Sequence, residues 1–279
     1  MQSSKVAIFG TAGSFHYLAA KAYYGEDADL LECYTFMRCC EALKKVEAKY
    51  GVLAIENSLA GSILPNYNLI NQYGLKIIGE QYLKIELNLL VLKGVKISDI
   101  EFVHSHPMAL AQCSVFLNQY PHIKMVEQGD TASCVKNISD KNLRNTAAVA
   151  NQYASKLYNV PVLFKGIENN KHNYTRFFIL TKGDETPANT DKASICFRLK
   201  HKVGSLSDVL NIIKEENLNL SKIQSVPVLG EPGQYFFHLD VEWKKNHHDH
   251  LKKAVAQIDE TTDDFSVLGE YVKASLPKD

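Results

Sequence analysis

Short apolar runs alternating with helix-periodic stretches dominate the first two thirds of this chain, and that alternation leaves few folds open to it. Val6–Phe9 and Val52–Ile55 are apolar throughout and read as buried strands, and Leu30–Phe36 is strand-like. Between them, Ser14–Tyr24 places Phe15, Leu18, Ala19 and Ala22 on one helical face, and Cys40–Tyr50 is amphipathic at helical spacing. The pattern resumes with strands at Phe102-Val103, Met125-Val126 and Ala147–Val149. Helices are expected over Met108–Leu117 (entered through Pro107), Ala132–Ile138 and Gln152–Tyr158. Strands and helices in this order predict α/β layers with largely parallel sheets. Tyr174–Leu180 adds a last β-rich run.

The pattern then breaks. Residues 183–192 are polar and contain Gly183 and Pro187, and read as a linker between a domain over 1–182 and a second over 193–279. Beyond it the order is strand (Ala193–Leu199), helix (Ser205–Glu216), strand (Leu218–Val228), turn (Gly230–Gly233), strand (Tyr235–Trp243), helix (His250–Ile258) and strand (Phe265–Val272). This is βαββαβ, the ferredoxin-like split arrangement.

A chain of 279 residues has room for about two such domains. Lys+Arg and Asp+Glu are equal at 31 each, with no basic stripe, which argues against a nucleic-acid partner. No apolar run approaches membrane-spanning length, and Val6–Phe9 is too short for the core of a signal peptide. A cytoplasmic protein with no membrane partner is therefore expected. The six cysteines form no C-x-x-C pair and are expected as reduced, buried thiols. The run Asn246-His247-His248-Asp249-His250 reads as a polar loop entering a helix rather than as a metal site.

Five segments could carry chemistry. Gly10-Thr11-Ala12-Gly13-Ser14 links a strand to a helix, where free N–H groups favour an anion and Ser14 can cap or bind a carboxylate. Its spacing fits neither a P-loop nor a dinucleotide fingerprint, and a plain turn explains it equally well. Glu56-Asn57-Ser58 directly follows an apolar strand, at the end where α/β sheets place ligands. Ser105-His106-Pro107-Met108 opens a helix, with His106 read as a cap or binding residue rather than a proton-transfer group. Gly129-Asp130-Thr131-Ala132 offers donors at another helix start. Asn173-Tyr174-Thr175-Arg176-Phe177 brings a hydroxyl and a guanidinium fork, although an Arg paired with a structural Glu would account for it too.

In this order, over roughly residues 5–181, the five segments together resemble prephenate dehydratase. The C-terminal βαββαβ unit, with Gly204-Ser205-Leu206 and Gln224-Ser225-Val226-Pro227, resembles the amino-acid-binding ACT domain joined to that enzyme. The resemblance implies a catalytic part of two α/β subdomains, arranged like a periplasmic binding protein with the active site between them. It implies decarboxylating dehydration of prephenate to phenylpyruvate without a cofactor, in phenylalanine biosynthesis. It also implies feedback by phenylalanine at an ACT–ACT interface, and so a homodimer or homotetramer. The family's catalytic threonine falls on Thr175, and its E-N-S segment on Glu56, Asn57 and Ser58. Ser14, Ser58, Ser105, Thr131, Arg176 and Phe177 become expected substrate contacts. Gly204, Ser205, Leu206, Asn219, Leu220, Gln224 and Ser225 become expected effector contacts. The chain departs from the family pattern where Thr11 replaces Pro, His16 replaces the last Ser of the first loop, and Met108 replaces Gln. In the second domain Gln224 and Val226 remove a Glu and an Arg.

The implied reaction removes CO2 and water from a dianion and gains an aromatic ring. Arg176 and the backbone near Gly13 and Thr131 are expected to hold the carboxylates, with Thr175 donating to the leaving oxygen. Glu56, if burial keeps it protonated, is the alternative acid. An arogenate dehydratase and a non-catalytic sensor of aromatic acids are the rival readings.

Overall fold

The protein is described by a computed structural model covering residues 5–200, 202–244 and 247–277. The strands are β1 (Val6–Phe9), β2 (Leu30–Cys33), β3 (Tyr50–Asn57), β4 (Gly61–Ser62), β5 (Lys76–Lys84), β6 (Asn88–Leu90), β7 (Phe102–Ser105), β8 (Lys124–Glu127), β9 (Thr146–Ala150), β10 (Val162–Phe164), β11 (Tyr174–Thr181), β12 (Lys192–Arg198), β13 (Asn219–Pro227), β14 (Tyr235–Glu242) and β15 (Asp263–Tyr271). The helices are α1 (Phe15–Tyr24), α2 (Phe36–Lys44), α3 (Leu64–Tyr73), α4 (Pro107–Gln112), α5 (Ser114–Leu117), α6 (Thr131–Lys141), α7 (Gln152–Leu157), α8 (Ser205–Glu215) and α9 (His248–Thr261).

By its contacts the chain divides into two compact units. One is built chiefly from the chain up to Gly61 and from Gln81–Phe177, the other from Ser62–Glu80 and Phe178–Ser275. The contact boundary thus differs from the compositional one, because Ser62–Glu80 packs with the C-terminal part. Strands β5 and β11 each run from one unit into the other.

The first unit rests on two sheets. One has the order β2-β1-β3-β11-β5, with β4 beside β3, and its β1–β2 and β1–β3 pairs are parallel. The other has the order β10-β6-β9-β7-β8, parallel at β7–β8 and β7–β9 but antiparallel at β6–β9 and β10–β6. The expectation of largely parallel sheets therefore holds for the β1–β2 and β1–β3 pairs of the first and is corrected at one side of the second. Its core is formed by Leu87, Leu89, Val103, Leu110, Ala147 and Val149 on one face, and by Val135, Ile138, Ala148 and Ala150 on the other. Both faces of β6 and β9 are buried, which is why these strands are mostly apolar.

Helix boundaries correct the sequence reading in two places. The second helix begins at Phe36, capped by Thr35, whose side chain accepts from Arg38 N; the hydroxyl cap outweighs the mixed polarity of that stretch. The helix expected over Met108–Leu117 is two short helices joined at Cys113. The sequence reading assigns no element to the segment holding α3, β5 and β6; in β5, Ile77 and Ile78 run directly into Gly79, Glu80 and Gln81, which masks the strand.

In the second unit, β12–α8–β13–β14–α9–β15 forms an antiparallel sheet of order β13-β14-β12-β15. That is the ferredoxin-like split arrangement. Ile195, Phe197, Leu239 and Val241 face Val209, Ile213, Leu251, Ala254 and Ile258 of the two helices. The opposite face is polar and buried. Ser194 Oγ donates to Asp240 Oδ1 at 2.6 Å and lies 2.7 Å from the Tyr271 hydroxyl, while Lys192 Nζ sits 3.2 Å from both Glu80 oxygens.

Of the histidine run, His248 bonds Glu270 at 2.6 Å and His250 bonds Glu216 at 3.1 Å, so both tie α9 to its neighbours. Asn246 lies outside the described residues.

Candidate active site

Strand β3 is apolar until Glu56-Asn57, and there the chain turns. Asn57 makes that turn itself, since its Oδ1 accepts from Leu59 N at 3.1 Å and Ala60 N at 2.9 Å. Its Nδ2 points across to β11, 2.7 Å from Asn173 Oδ1 and 3.0 Å from Thr175 Oγ1. Asn173 Nδ2 in turn donates to Gln112 Oε1 at 3.0 Å, and Gln112 Nε2 donates back to Asn57 Oδ1 at 3.3 Å. Three amides form a closed ring, and Thr175 hangs from it. Each amide fixes the orientation of the next, so the ring specifies where a donor and an acceptor must lie.

The ring determines what the Thr175 hydroxyl does. Its oxygen accepts from Asn57, so its proton is left to be donated. Thr175 is 9% exposed, enough for contact with a ligand and little enough to exclude bulk water.

The serines behave differently. Ser14 Oγ donates to Phe9 O at 3.3 Å and caps α1 by accepting from Tyr17 N. Ser58 Oγ donates to His172 O at 3.1 Å and accepts from Tyr174 N at 2.9 Å. Ser105 Oγ donates to Val149 O at 2.6 Å and is fully buried. In this structure the hydroxyl protons of all three are held by backbone carbonyls.

Adjacent residues of a strand point to opposite faces of the sheet. Thr175 meets Asn57 on one face, whereas Arg176 pairs with Glu56, Nη1 to Oε2 at 4.0 Å. Thr175 and Arg176 were expected in one cleft, and the pleat separates their side chains. The Glu56 carboxylate is 37% exposed. Phe177 shares the Thr175 face but is 1% exposed, edge-on to His16 at 5.0 Å, and is a core residue.

The expected anion sites also carry carboxylates of the protein's own. Ala12 N donates to Glu32 Oε1 at 2.7 Å. At the start of α6, Asp130 Oδ1 accepts from Ala132 N at 2.8 Å and Ser133 N at 2.9 Å, and Thr131 is the first helical residue. Gly10, at φ +88, brings the two loops together: a Cβ there would lie 3.2 Å from Ser14 Cβ and 3.4 Å from Asp130 Cβ. The first loop is further tied to α7, because Asn151 Nδ2 donates to Gly13 O and the Tyr158 hydroxyl donates to Ala12 O.

His106 accepts from Met108 N and caps α4, as read from the sequence. Burial lowers its pKa, with Asp130 and Glu127 opposing. Met108 is 46% exposed, and the amide that reaches the ring comes from Gln112. Gln112 and Asn173 are the members to which the sequence reading gives no role. The signal was present: Gln112 is a polar residue beside the buried Ala109, Leu110 and Cys113, and such a residue needs a partner. Among the described residues no three His, Cys, Asp or Glu side chains converge as a metal site.

A family model described as prephenate dehydratase matches residues 6–185. The chain belongs to the prephenate dehydratase family. A bifunctional chorismate mutase/prephenate dehydratase of Enterobacter agglomerans is 32% identical over 278 residues, covering 96% of this chain and 70% of that protein. A chloroplastic arogenate dehydratase/prephenate dehydratase of Arabidopsis thaliana is 33% identical, covering 96% of this chain and 72% of the relative. The solved structure of an Arthrobacter aurescens prephenate dehydratase in complex with L-Phe superposes with a TM-score of 0.86 at 25% identity, covering 97% of this chain and 90% of that one. The amide ring and Thr175 thus stand in a chain of the dehydratase family along nearly its whole length.

Proposed function

We propose that this chain converts prephenate to phenylpyruvate, carbon dioxide and water, with Thr175 donating to the leaving oxygen. One observation carries the assignment of role: Asn57 Nδ2 donates to Thr175 Oγ1 at 3.0 Å, which leaves the hydroxyl proton to be given away. In the reaction the ring carboxylate departs as CO2, its bonding pair enters the ring, and the C–O bond at the opposite carbon breaks. The oxygen leaves as water once it has taken up a proton. A threonine is too weak an acid to supply that proton alone. A hydrogen bond that strengthens as charge grows on the oxygen gives about 10²–10³ in rate. Asn57 positions the hydroxyl, and Asn173 and Gln112 hold Asn57.

Glu56 and Arg176 belong to the opposite face, where they secure the ends of β3 and β11. Comparing kcat/KM on prephenate and arogenate tests this reading. Turnover of prephenate supports it, and turnover of arogenate alone reassigns the substrate.

Residues 1–182 are the proposed catalytic domain, 183–192 the linker, and 193–279 a regulatory domain of the ACT type binding phenylalanine. In one chain, Gly204 caps α8 in a left-handed conformation, with Ser205 and Leu206 in the first turn. Strand β13 runs back from the far end of that helix, so Asn219 and Leu220 lie roughly 17 Å from its start, whereas Gln224 and Ser225 return toward it. A ligand touching both sets needs a second copy, which supports a homodimer or homotetramer. The ACT reading and the oligomer stand or fall by phenylalanine titration against activity and molecular mass. Unchanged activity and mass would remove the regulatory claim.

A further inference from the structure

His16 is the one departure in the first loop that the structure places inside the catalytic architecture, and nothing in the reaction uses it directly. It is 8% exposed. Strand β1 pairs with β3 only as far as Ile8↔Val52, then leaves the sheet at Gly10. Past that point β1 no longer pairs with β3. His16, from the first turn of α1, fills the position: its Nε2 accepts from Ala54 N at 3.1 Å. A side chain stands where a strand carbonyl would otherwise have been.

The same ring fixes two further elements. It lies edge-on to Phe177 with centroids 5.0 Å apart, two residues along β11 from Thr175. It also contacts Phe9 at 5.4 Å and Phe36 at 5.6 Å, the residues that end β1 and begin α2. Ala54 is three residues from Asn57 on β3. One imidazole therefore joins the first loop, the strand carrying the amide ring and the strand carrying the threonine. Accepting from Ala54 requires Nε2 to be unprotonated, and burial lowers the His16 pKa to about 3, with His106 adding to the effect.

We infer that His16 is a positioning residue for the dehydratase reaction, holding β3 and β11 in the register that brings Asn57 Nδ2 onto Thr175 Oγ1. The inference rests on the proposed reaction, and the experiment separates the two. Glutamine places its amide oxygen near the position of Nε2, whereas asparagine places it near Nδ1, short of Ala54. His16→Gln should keep kcat on prephenate within about threefold. His16→Asn should lose about ten- to a hundredfold in kcat with KM little changed, the cost of a small misplacement of reacting groups. His16→Leu takes the place of the asparagine variant if that variant does not fold, with the same loss expected. Equal kcat in the glutamine and asparagine variants, or a lower value for glutamine, overturns the inference while leaving the reaction intact. A wild-type protein with no turnover of prephenate in the same assay overturns the reaction itself.

Discussion

Asn57→Asp changes one atom of the amide ring and keeps the shape of the side chain. The new carboxylate can still accept from Leu59 N, Ala60 N and Gln112, as Oδ1 does now. It can no longer donate to Thr175 Oγ1, 3.0 Å away, or to Asn173 Oδ1, 2.7 Å away. The threonine hydroxyl then turns to donate to the carboxylate, and its proton is withdrawn from the leaving oxygen. Losing one donor of this kind costs about 10²–10³ in kcat.

The ring cannot be fully repaired by amide flips. If Asn173 turns its Nδ2 toward the carboxylate, Gln112 must serve Asn173 or the carboxylate, and one oxygen faces another either way. A single buried mismatch of this sort costs about 1–3 kcal/mol. The assays are phenylpyruvate formation for kcat and KM, and urea unfolding for stability. A kcat within about threefold of wild type in a folded variant would refute the role given to the Asn57–Thr175 bond, since an oxyanion-type donor is worth far more than that.

Lys192→Met takes away the ammonium 3.2 Å from the Glu80 carboxylate, 2% exposed, and 3.6 Å from that of Glu242, and should cost about 3–5 kcal/mol in urea melts. The double variant with Glu80→Gln should recover most of that loss, and a single variant as stable as wild type would show that the pair is not buried. At Gly269 a Cβ would lie 1.9 Å from Ile77 O, a backbone atom that cannot step aside. Gly269→Ala should therefore lower the melting temperature sharply, and an unchanged melt would contradict the close approach of β15 to β5. Stability should also fall in mild acid. Burial lowers the pKa of His238 to about 4, with Asp240 opposing and Lys222 adding to it, and that of His16 to about 3. The unfolded chain takes up protons on both from about pH 6.5, while the folded chain does not. The stabilisation is thus present above about pH 6.5 and is lost as pH drops toward about 4 for His238 and about 3 for His16, on the order of several kcal/mol in all. Urea melts at descending pH test this against His238→Gln, and a variant whose slope equals that of wild type would exclude His238 as a source.

Most of the layer order was legible because buried strands leave apolar runs and amphipathic helices leave a period. Val6–Phe9 was read to the residue, since a glycine ended it and a capped helix followed. The βαββαβ order was equally clear, because α8 and α9 each show one apolar face. Strand β5 was not legible: Lys76–Lys84 mixes Ile77 and Ile78 with Glu80, whose burial depends on Lys192, 112 positions away. The site was legible as a set of segments but not as a set of roles. Sequence places Thr175 and Arg176 side by side, and only the pleat shows that they serve different faces. Spacing cannot reveal that Ser14, Ser58 and Ser105 donate to carbonyls. Nor can it show that Gln112 and Asn173, 61 positions apart, share a hydrogen bond.

The central claim is that the Thr175 hydroxyl assists departure of the ring oxygen. Its most direct test is the kcat of Thr175→Ala and Thr175→Ser on prephenate, beside wild type. Wild type should form phenylpyruvate, the serine variant should retain much of that rate, and the alanine variant should lose about 10²–10³ in kcat while remaining folded. A folded alanine variant with near-wild-type turnover would contradict the account.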